Sequence, residues 1–349
     1  MASVDVTVRG AGIFGLSIAW ACLRRGAKVR VIETAHPGAG SSGGPVGALS
    51  PHVPEAWNAK KAFQLDSLLL AADWWTEVDS ASGLSSGYAR LGRLQPLSDD
   101  RAVAAARRRA DEAQVLWQGR AEWRVIPAAG ADWEPVSPSG WLVQDTLSAR
   151  LSPRLALAAL LGALTAGGAQ LGGAEDGRVI HATGVSGLVQ LSQAFGLPVG
   201  SGVKGQALVL RFDARHAPQV FVDGLHIVPH ADSTVAVGST SETSWTGDGP
   251  DGQTDGLLAR ALAAVPALAG AEVTARWAGV RPKATNRAPI LGAWPGRAGH
   301  YVANGGFKIG FGMAPKVAEV MADLVLDGRD GIPSDFRLET LLQTATVRR

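Results

Sequence analysis

The sequence contains a single cysteine, Cys22, among its 349 residues. One thiol excludes an intramolecular disulfide and a CxxC metal site, and it is the only thiol available for covalent attachment of a cofactor. A cysteine in an apolar helical segment is usually a packed small side chain, so a cofactor is expected to be held non-covalently. The low cysteine content also predicts a protein of the reducing cytoplasm.

Long apolar segments and an excess of charge of one sign are also missing. The longest apolar stretches, 12–23 and 155–164, are broken by glycine or polar residues and fall short of the ~20 residues that a membrane span needs. Residues 1–3 run directly into a strand pattern, without the basic region of a signal peptide. Lys+Arg 33 against Asp+Glu 31 gives a net charge of +2, so no dedicated nucleic-acid surface is expected. No membrane partner is expected either.

Catalytic and metal-binding signatures of the common kinds are absent. No HExxH, no Ser-His-Asp order and no paired carboxylates stand out, and the seven histidines are dispersed. We therefore expect no metal site and no catalytic triad. With 46% hydrophobic and 18% charged residues, the composition is that of a globular chain. The length favours two lobes or one large α/β domain.

The first 33 residues form a predicted strand, helix and strand. Residues 4–9 alternate as a strand, residues 16–25 follow as a helix, and residues 28–32 form a second strand. Between the first strand and the helix, Gly10 permits a tight turn, Gly12 lets the backbone approach a pyrophosphate, and Gly15 lets helix and strand pack. This context makes the glycine pattern a dinucleotide fingerprint.

An acidic residue follows the second strand of this unit. Glu33 can accept hydrogen bonds from both ribose hydroxyls, and its charge would repel a 2′-phosphate, so FAD and NAD both stay open at this point. The predicted nucleotide site comprises Gly10, Ala11, Gly12, Ile13, Phe14, Gly15, Glu33 and Thr34.

Further along, residues 36–54 form a Gly/Ser/Pro-rich loop, as expected where backbone approaches a ligand closely. Helices are predicted at 59–78, 100–116, 153–167, 257–268 and 314–326. Strands are predicted at 178–184, 206–212, 221–228 and 234–237, and residues 281–292 are predicted to be a loop.

Several separated segments together resemble the D-amino acid oxidase family of flavoproteins, which includes glycine and sarcosine oxidases. Besides the fingerprint, they are the segments 38–49, 182–184, 203–206, 227–230 with 237–240, 279–282 and 304–311. Their order and spacing carry the resemblance. It implies an α/β fold, α+β in the second lobe, with a Rossmann-type lobe that binds FAD and a substrate lobe built on a mainly antiparallel sheet. The predicted FAD lobe comprises 1–78, 150–200 and 281–349, and the substrate lobe comprises 79–149 and 201–280.

The resemblance also assigns site residues. It places a loop past the pyrophosphate and the isoalloxazine edge, a strand end beside the cofactor, and a glycine-rich turn toward the N1–C2=O edge of the flavin. These cofactor residues are Ser41, Ser42, Gly47, Ala48, Leu49, Thr183, Gly184, Gly305, Gly306, Phe307, Lys308, Ile309 and Gly310. Arg281, in Gly-Val-Arg-Pro, matches the family arginine that holds the substrate carboxylate, and a guanidinium suits a bidentate grip. Lys308 matches the position of a second basic residue in glycine oxidases. Its ammonium could assist in binding the carboxylate as a point charge, without the forked contact of a guanidinium.

The implied activity is FAD-dependent oxidation of a small amine or amino acid of the glycine, sarcosine or D-amino acid type. Hydride passes to flavin N5, the imine gives a 2-oxo acid, and dioxygen or another acceptor takes the electrons, giving hydrogen peroxide in the first case. One alternative, favoured by a resemblance at 47–51, is oxidation of a carboxymethylaminomethyl group on tRNA wobble uridine, and only this alternative needs a nucleic-acid partner. Another is a non-catalytic FAD-binding protein. The exact substrate, the electron acceptor, homo-oligomer formation and the role of Trp74–Trp75 are left open by the sequence.

Overall fold

The computed structural model describes residues 3–347. Helices cover the faces of two large β-sheets. Among these residues the α-helices are α1 (Ile13–Leu23), α2 (Ala59–Ser82), α3 (Asp100–Leu116), α4 (Pro153–Ala166), α5 (Gly184–Phe195), α6 (Gln253–Ala264), α7 (Gly310–Asp327) and α8 (Leu338–Val347). No helix in this part of the chain is long and apolar enough to cross a membrane.

Most strands are short. The two long ones, residues 200–211 and 272–284, run side by side for most of their length. In chain order they are β1 (Val6–Arg9), β2 (Val29–Ile32), β3 (Ala48–Leu49), β4 (Arg93–Pro96), β5 (Trp123–Pro127), β6 (Trp141–Asp145), β7 (Ala149–Arg150), β8 (Gln170–Leu171), β9 (Arg178–His181), β10 (Gly200–Arg211), β11 (Gln219–Val222), β12 (Leu225–Pro229), β13 (Thr234–Gly238), β14 (Glu272–Ala284), β15 (Ile290–Ala293) and β16 (His300–Asn304).

A six-stranded sheet has the order β15-β16-β9-β1-β2-β8 and is parallel except for the pair β15 and β16. Its central strand β1 is apolar and buried because helices cover both faces. On one face, α1 packs between the sheet and helices α4 and α7, while α5 contributes to a separate core on the other face. The predicted strand, helix and strand at the N-terminus therefore form a parallel βαβ unit.

The second sheet is mainly antiparallel and has the order β14-β10-β13-β12-β11-β4-β6-β5. Only β11 and β4 run parallel. Its longest pairing joins β10 to β14, where Val203 lies opposite Arg281. Helix α6 covers one face with a core of its own. Together, the two sheets confirm the predicted mixed α/β fold.

Several predicted elements differ from the structure, and two of the differences have a clear local reason. Helix α1 begins at Ile13 instead of residue 16, because the fingerprint itself forms its first turn. The predicted strand 221–228 is a hairpin whose turn is Asp223-Gly224, both with positive φ, as a two-residue Asp-Gly turn requires. Residues 281–284 and 290–292, predicted as loop, belong to β14 and β15.

The predicted lobe limits stay predictions, although all four fall within regular elements. The limit at 78/79 lies inside α2, the limit at 149/150 inside β7, the limit at 200/201 inside β10 and the limit at 280/281 inside β14. Trp74 and Trp75 are both buried, because α2 packs against α4 and α7 at once. This pair therefore belongs to the core and does not form an exposed surface.

A buried ion pair connects two strands of the eight-stranded sheet. Arg93 of β4 lies directly opposite Asp145 of β6, and Arg93 Nε donates to Asp145 Oδ2 at 2.8 Å. The same carboxylate also accepts from the backbone and hydroxyl of Ser148. Because the Asp145 side chain is fully buried, its charge depends on these partners.

We expect Arg93→Leu to destabilise the fold by about 3–5 kcal/mol, because it leaves a buried carboxylate without its cation. Urea unfolding of the purified protein measures this loss. Arg211→Leu is the matched control, since Arg211 pairs with Glu272 at the surface and should change stability little. Equal effects of the two substitutions would show that the buried pair has no special role.

Candidate functional site

A cavity of about 980 Å³ lies between the two sheets. The ends of β1, β2 and β9 supply one side, and β10, β12 and β14 of the eight-stranded sheet supply the other. Its volume is at the upper end of the range for small-molecule sites, about 300–1,000 Å³. In open α/β sheets, ligands bind beyond the carboxyl ends of the parallel strands, where this cavity lies.

The structure brings most of the predicted site residues together around this cavity. Those that line it are Gly10, Gly12, Ile13, Phe14, Glu33, Thr34, Ser41, Ser42, Ala48, Thr183, Gly184, Arg281, Gly305, Gly306, Phe307, Lys308 and Gly310. Ala11, Gly15, Gly47, Leu49 and Ile309 lie behind the lining.

The residues behind the lining shape the site from within the fold. A side chain at Gly15 would overlap the Gly10 carbonyl, and one at Gly47 would overlap the Leu151 carbonyl. These glycines therefore allow close backbone packing. Leu49 is fully buried, and Ile309 packs against the same core.

The fingerprint ends at an open helix N-terminus. Gly10 has a φ of +102°, which side chains rarely adopt, and a side chain there would also meet the Ala182 backbone. Helix α1 then begins at Ile13, with no side chain of Gly12 to cap it. Ser42 Oγ accepts from Ile13 N at 3.1 Å. The remaining N–H groups and the helix dipole make this end a site for an anion such as a phosphate.

Glu33 is held against the fingerprint by backbone N–H groups. Its Oε2 accepts from Ala11 N at 2.8 Å, and its Oε1 accepts from Thr34 N at 2.8 Å and from Ala35 N at 3.1 Å. A carboxylate offers about four acceptor positions, so capacity is left for a ligand hydroxyl. Glu33 is half-buried and lines the cavity, which suits that role.

Thr183, which follows β9, lines the cavity. Its Oγ1 is itself buried beside Gly187 of α5, and within residues 3–347 nothing hydrogen-bonds to it. The adjacent Gly184 carbonyl accepts from Asn304 Nδ2 at 2.8 Å, which fixes this segment against β16. The helix N-terminus and Glu33, which border the same cavity, together fit a dinucleotide cofactor.

A glycine-rich turn closes the cavity from the C-terminal side. Gly305 has a φ of +75°, and a side chain at Gly306 would meet the Phe14 ring. Helix α7 begins at Gly310, which lines the cavity, so the positive end of the helix dipole faces the ligand.

Arg281 lies on β14 and is only 8% exposed. Its Nη2 donates to Ser239 Oγ at 2.5 Å, and its Nη1 donates to the Thr240 carbonyl at 3.2 Å. Burial lowers the pKa of Arg281 to about 10, against an opposing effect of the Glu242 charge, and the group stays cationic at neutral pH. Among the described residues no carboxylate forms an ion pair with it, so the cavity wall carries an unneutralised cation.

Lys308 adds a second positive charge at the same end of the cavity. Partial desolvation by the surrounding protein, followed by the nearby Arg281, lowers its pKa. Its Nζ lies 5.8 Å from the centre of the Phe307 ring, and Lys283 Nζ lies 5.9 Å from the same centre. Lys308 lines the cavity but keeps part of its surface in solvent, so it can reach a ligand as a point charge but not as a fork.

Sequence reasoning missed His226, which lines the cavity from β12. Its Nδ1 is buried and lacks a hydrogen-bond partner among the described residues, and its ring lies 4.7 Å from that of Phe221. Burial, followed by the charges of Arg93 and Lys308, lowers the pKa of His226 to about 3. The Asp223-Gly224 turn was the signal that could have found it, because a hairpin there places Phe221 opposite His226.

Trp277 was also missed, and no local pattern indicates it. Its indole lies against the backbone of Gly44 and folds back over Gly279, so it connects the Gly/Ser loop to β14. Ser239 and Asn304 also line the cavity. They lie in the segments 237–240 and 304–311 that carry the resemblance, but neither was predicted as a site residue.

Covalent and metal chemistry find no support in the described residues. Cys22 is fully buried in α1, and burial raises its pKa to about 12, so it cannot tether a cofactor in the cavity. Residues 3–347 contain no group of three or more His, Cys, Asp or Glu side chains that could hold a metal ion.

Comparison with known proteins identifies relatives along nearly the whole chain. The model of the DAO family, FAD dependent oxidoreductase, matches residues 5–324. The glycine oxidase of Geobacillus kaustophilus is 27% identical, over 92% of this chain and 92% of that protein. The bifunctional protein ThiO/ThiG of Trichormus variabilis is 25% identical over 98% of this chain, which spans only 56% of that longer relative.

A solved structure shows the same fold. The crystal structure of the Geobacillus kaustophilus glycine oxidase aligns with a TM-score of 0.83, covering 96% of this chain and 98% of that one. At 23% identity this match establishes the fold alone.

We expect Gly12→Asp to yield a protein without FAD, because the new carboxylate would stand at the helix N-terminus beside Ser42 Oγ. Absorbance of the purified protein, with release of FAD on heat precipitation from the wild type, measures the cofactor. Gly256→Asp is the matched control, since a side chain at that position of α6 meets open space. Stoichiometric FAD in the Gly12 variant would show that the fingerprint is not the cofactor site.

Proposed function

The chain belongs to the DAO family of FAD-dependent oxidoreductases, and we propose that it oxidises a small carboxylated amine of the glycine or sarcosine type. The observation that carries this proposal is Arg281, a buried cation without a carboxylate partner among the described residues, facing a cavity built for a dinucleotide. The name of the glycine oxidase relative, matched over nearly its full length, supports the same substrate class.

We assign the cofactor-binding residues from the contacts of the cavity. Gly12, Ile13 and Ser42 would hold the pyrophosphate, and Glu33 the ribose hydroxyls. Thr183 and the turn from Gly305 to Gly310 would border the rest of the cofactor. When bound, FAD supplies the acceptor for a hydride from the amine carbon, and dioxygen or another acceptor then takes the electrons.

Arg281 would bind the carboxylate of the substrate. A guanidinium has five N–H donors. Two of them bind Ser239 and Thr240, which leaves three for a ligand. Charge-assisted hydrogen bonds in a water-poor cavity are the strong kind, and two from one guanidinium would fix the orientation of the α-carbon. The chain's contribution is thus to position and desolvate the substrate.

The rest of this end of the cavity favours the reactive form of the amine. Hydride leaves a neutral amine more readily than an ammonium, and two cations, Arg281 and Lys308, disfavour a third positive charge beside them. His226 stays neutral near neutral pH, so it does not add to that charge.

The proposed products are an imine, which water hydrolyses to a 2-oxo acid, and hydrogen peroxide when dioxygen is the acceptor. Anaerobic mixing with glycine and sarcosine tests the first half-reaction through bleaching of the flavin, and oxygen uptake with a peroxide assay tests the second. Failure of every small amine to bleach the flavin would favour the tRNA substrate or a non-catalytic role.

We expect Arg281→Ala to keep the flavin spectrum while lowering kcat/KM for a glycine-type substrate by roughly a hundredfold or more, about 3–5 kcal/mol. The loss comes from a desolvated, charge-assisted contact. Arg281→Lys should restore only part of the activity, because an ammonium cannot form the bidentate contact.

The control for Arg281 is a substrate rather than a second variant. An amine without a carboxylate never uses the guanidinium, so its rate of flavin reduction should change much less in Arg281→Ala. Equal losses for both amines, together with a lower Tm, would instead mean that Arg281 is purely structural.

We expect His226→Asn to leave the shape of the pH profile of kcat/KM unchanged between pH 5.5 and 8. The folded-state pKa of His226 lies at about 3, below its ordinary value, so its imidazole does not titrate in this range. Stopped-flow flavin reduction across that range is the measurement. A kinetic pKa between 6 and 7 that disappears in the variant would contradict a neutral His226.

A further inference from the structure

The contacts that hold Arg281 come from one short segment. Ser239 and Thr240, which bind its two terminal nitrogens, directly follow β13. On the opposite side, the guanidinium lies over Gly205 of β10, where any side chain would overlap it. The position of the guanidinium therefore depends on where residues 239 and 240 are held relative to β10.

Glu242 holds that segment to β10. Its carboxylate accepts a short hydrogen bond from Thr240 Oγ1, and its two oxygens accept from Gln206 Nε2 at 3.1 and 3.3 Å. Its backbone N and O pair with those of Lys204 at 2.9 Å each. Gln206 N in turn donates to Thr240 Oγ1 at 2.9 Å. The Thr240 hydroxyl is thus held from two directions, because it donates to the Glu242 carboxylate and accepts from Gln206 N.

This network also places a negative charge behind Arg281. Gln206 is fully buried and Glu242 is half-buried, so water screens their interactions only partly. The Glu242 charge favours the charged form of Arg281, against the effect of burial. Yet the hydrogen bonds of Arg281 go to Ser239 and Thr240 and not to the Glu242 carboxylate, and Arg281 lines the cavity.

We propose that Glu242 is a positioning residue for Arg281: it fixes the Thr240 carbonyl and the Ser239 hydroxyl, and it stabilises the guanidinium without occupying the N–H groups that bind a carboxylate. This inference rests on the proposed function in one respect, the assignment of Arg281 as the carboxylate-binding residue. Glu242 does not line the cavity and touches no reacting atom.

A double-mutant cycle on the FAD-loaded protein tests the proposal, with acetate as a carboxylate probe and calorimetry as the readout. We expect Glu242→Ala to weaken acetate binding roughly tenfold in the wild-type background and less than about twofold when Arg281 is already alanine. Glu242→Gln, which keeps an oxygen acceptor for Thr240, should recover part of the affinity. Thr243→Ala, at an exposed neighbour, is the matched control and should leave the affinity unchanged.

The outcomes separate this inference from the proposed function. If Arg281→Ala weakens acetate binding and the Glu242 loss is the same in both backgrounds, Glu242 does not act through Arg281 and the inference is overturned. If Arg281→Ala leaves acetate binding intact, the carboxylate assignment fails, and the inference fails with it. Should Glu242→Ala not fold, the same cycle is run with Glu242→Gln. A loss with Gln that disappears in the Arg281→Ala background supports the inference.

Discussion

Arg281 is a charged side chain that water barely reaches, and an ion in such a place costs several kcal/mol unless the protein or a ligand compensates it. Here the fold supplies only part of the compensation. The Ser239 hydroxyl and the Thr240 carbonyl contact the guanidinium directly, and the Glu242 carboxylate lies behind Thr240. The rest must come from the cavity. The long pairing of β10 with β14 positions the Arg281 guanidinium. It places Gly205 beneath the guanidinium and Gln206 beside Thr240 and Glu242.

The side of the cavity formed by β1, α1 and β9 is shaped mainly by close packing of backbone against backbone. Gly10 and Gly15 remove the side chains that would separate β1, α1 and β9, so the N-terminus of α1 and the segment that follows β9 border the same space. This side offers backbone hydrogen-bond donors and a helix dipole, which suit a ligand that brings its own negative charge. In the proposed function the two sides have different roles: backbone groups on one side would bind the cofactor, and side-chain charge on the other would bind the substrate.

Two cations, Arg281 and Lys308, lie at one end of the cavity, although the chain as a whole is nearly neutral. Burial and the charge of Arg281 lower the pKa of Lys308, and burial, followed by the charges of Arg93 and Lys308, keeps His226 neutral. A net charge of +2 over 349 residues gives no hint of this local field. It arises because strands distant in sequence bring their cations to one end of one cavity, where the dielectric is low and screening is weak.

Local chemistry determined what the sequence alone could predict: the βαβ unit, the fingerprint, Glu33 and the mixed α/β class all follow from turn glycines and short-range periodicity. Arg281 and Lys308 were predicted through resemblance, and their roles stay proposals. Only the tertiary structure decided that His226 and Trp277 line the cavity and that Glu242 stands behind Arg281. The Asp223-Gly224 turn places His226 opposite Phe221 locally, but that this hairpin borders the cavity depends on the rest of the sheet. Trp277 and Glu242 are placed by pairing with β10, which is far away in sequence, and no local pattern encodes which strands pair or in what register.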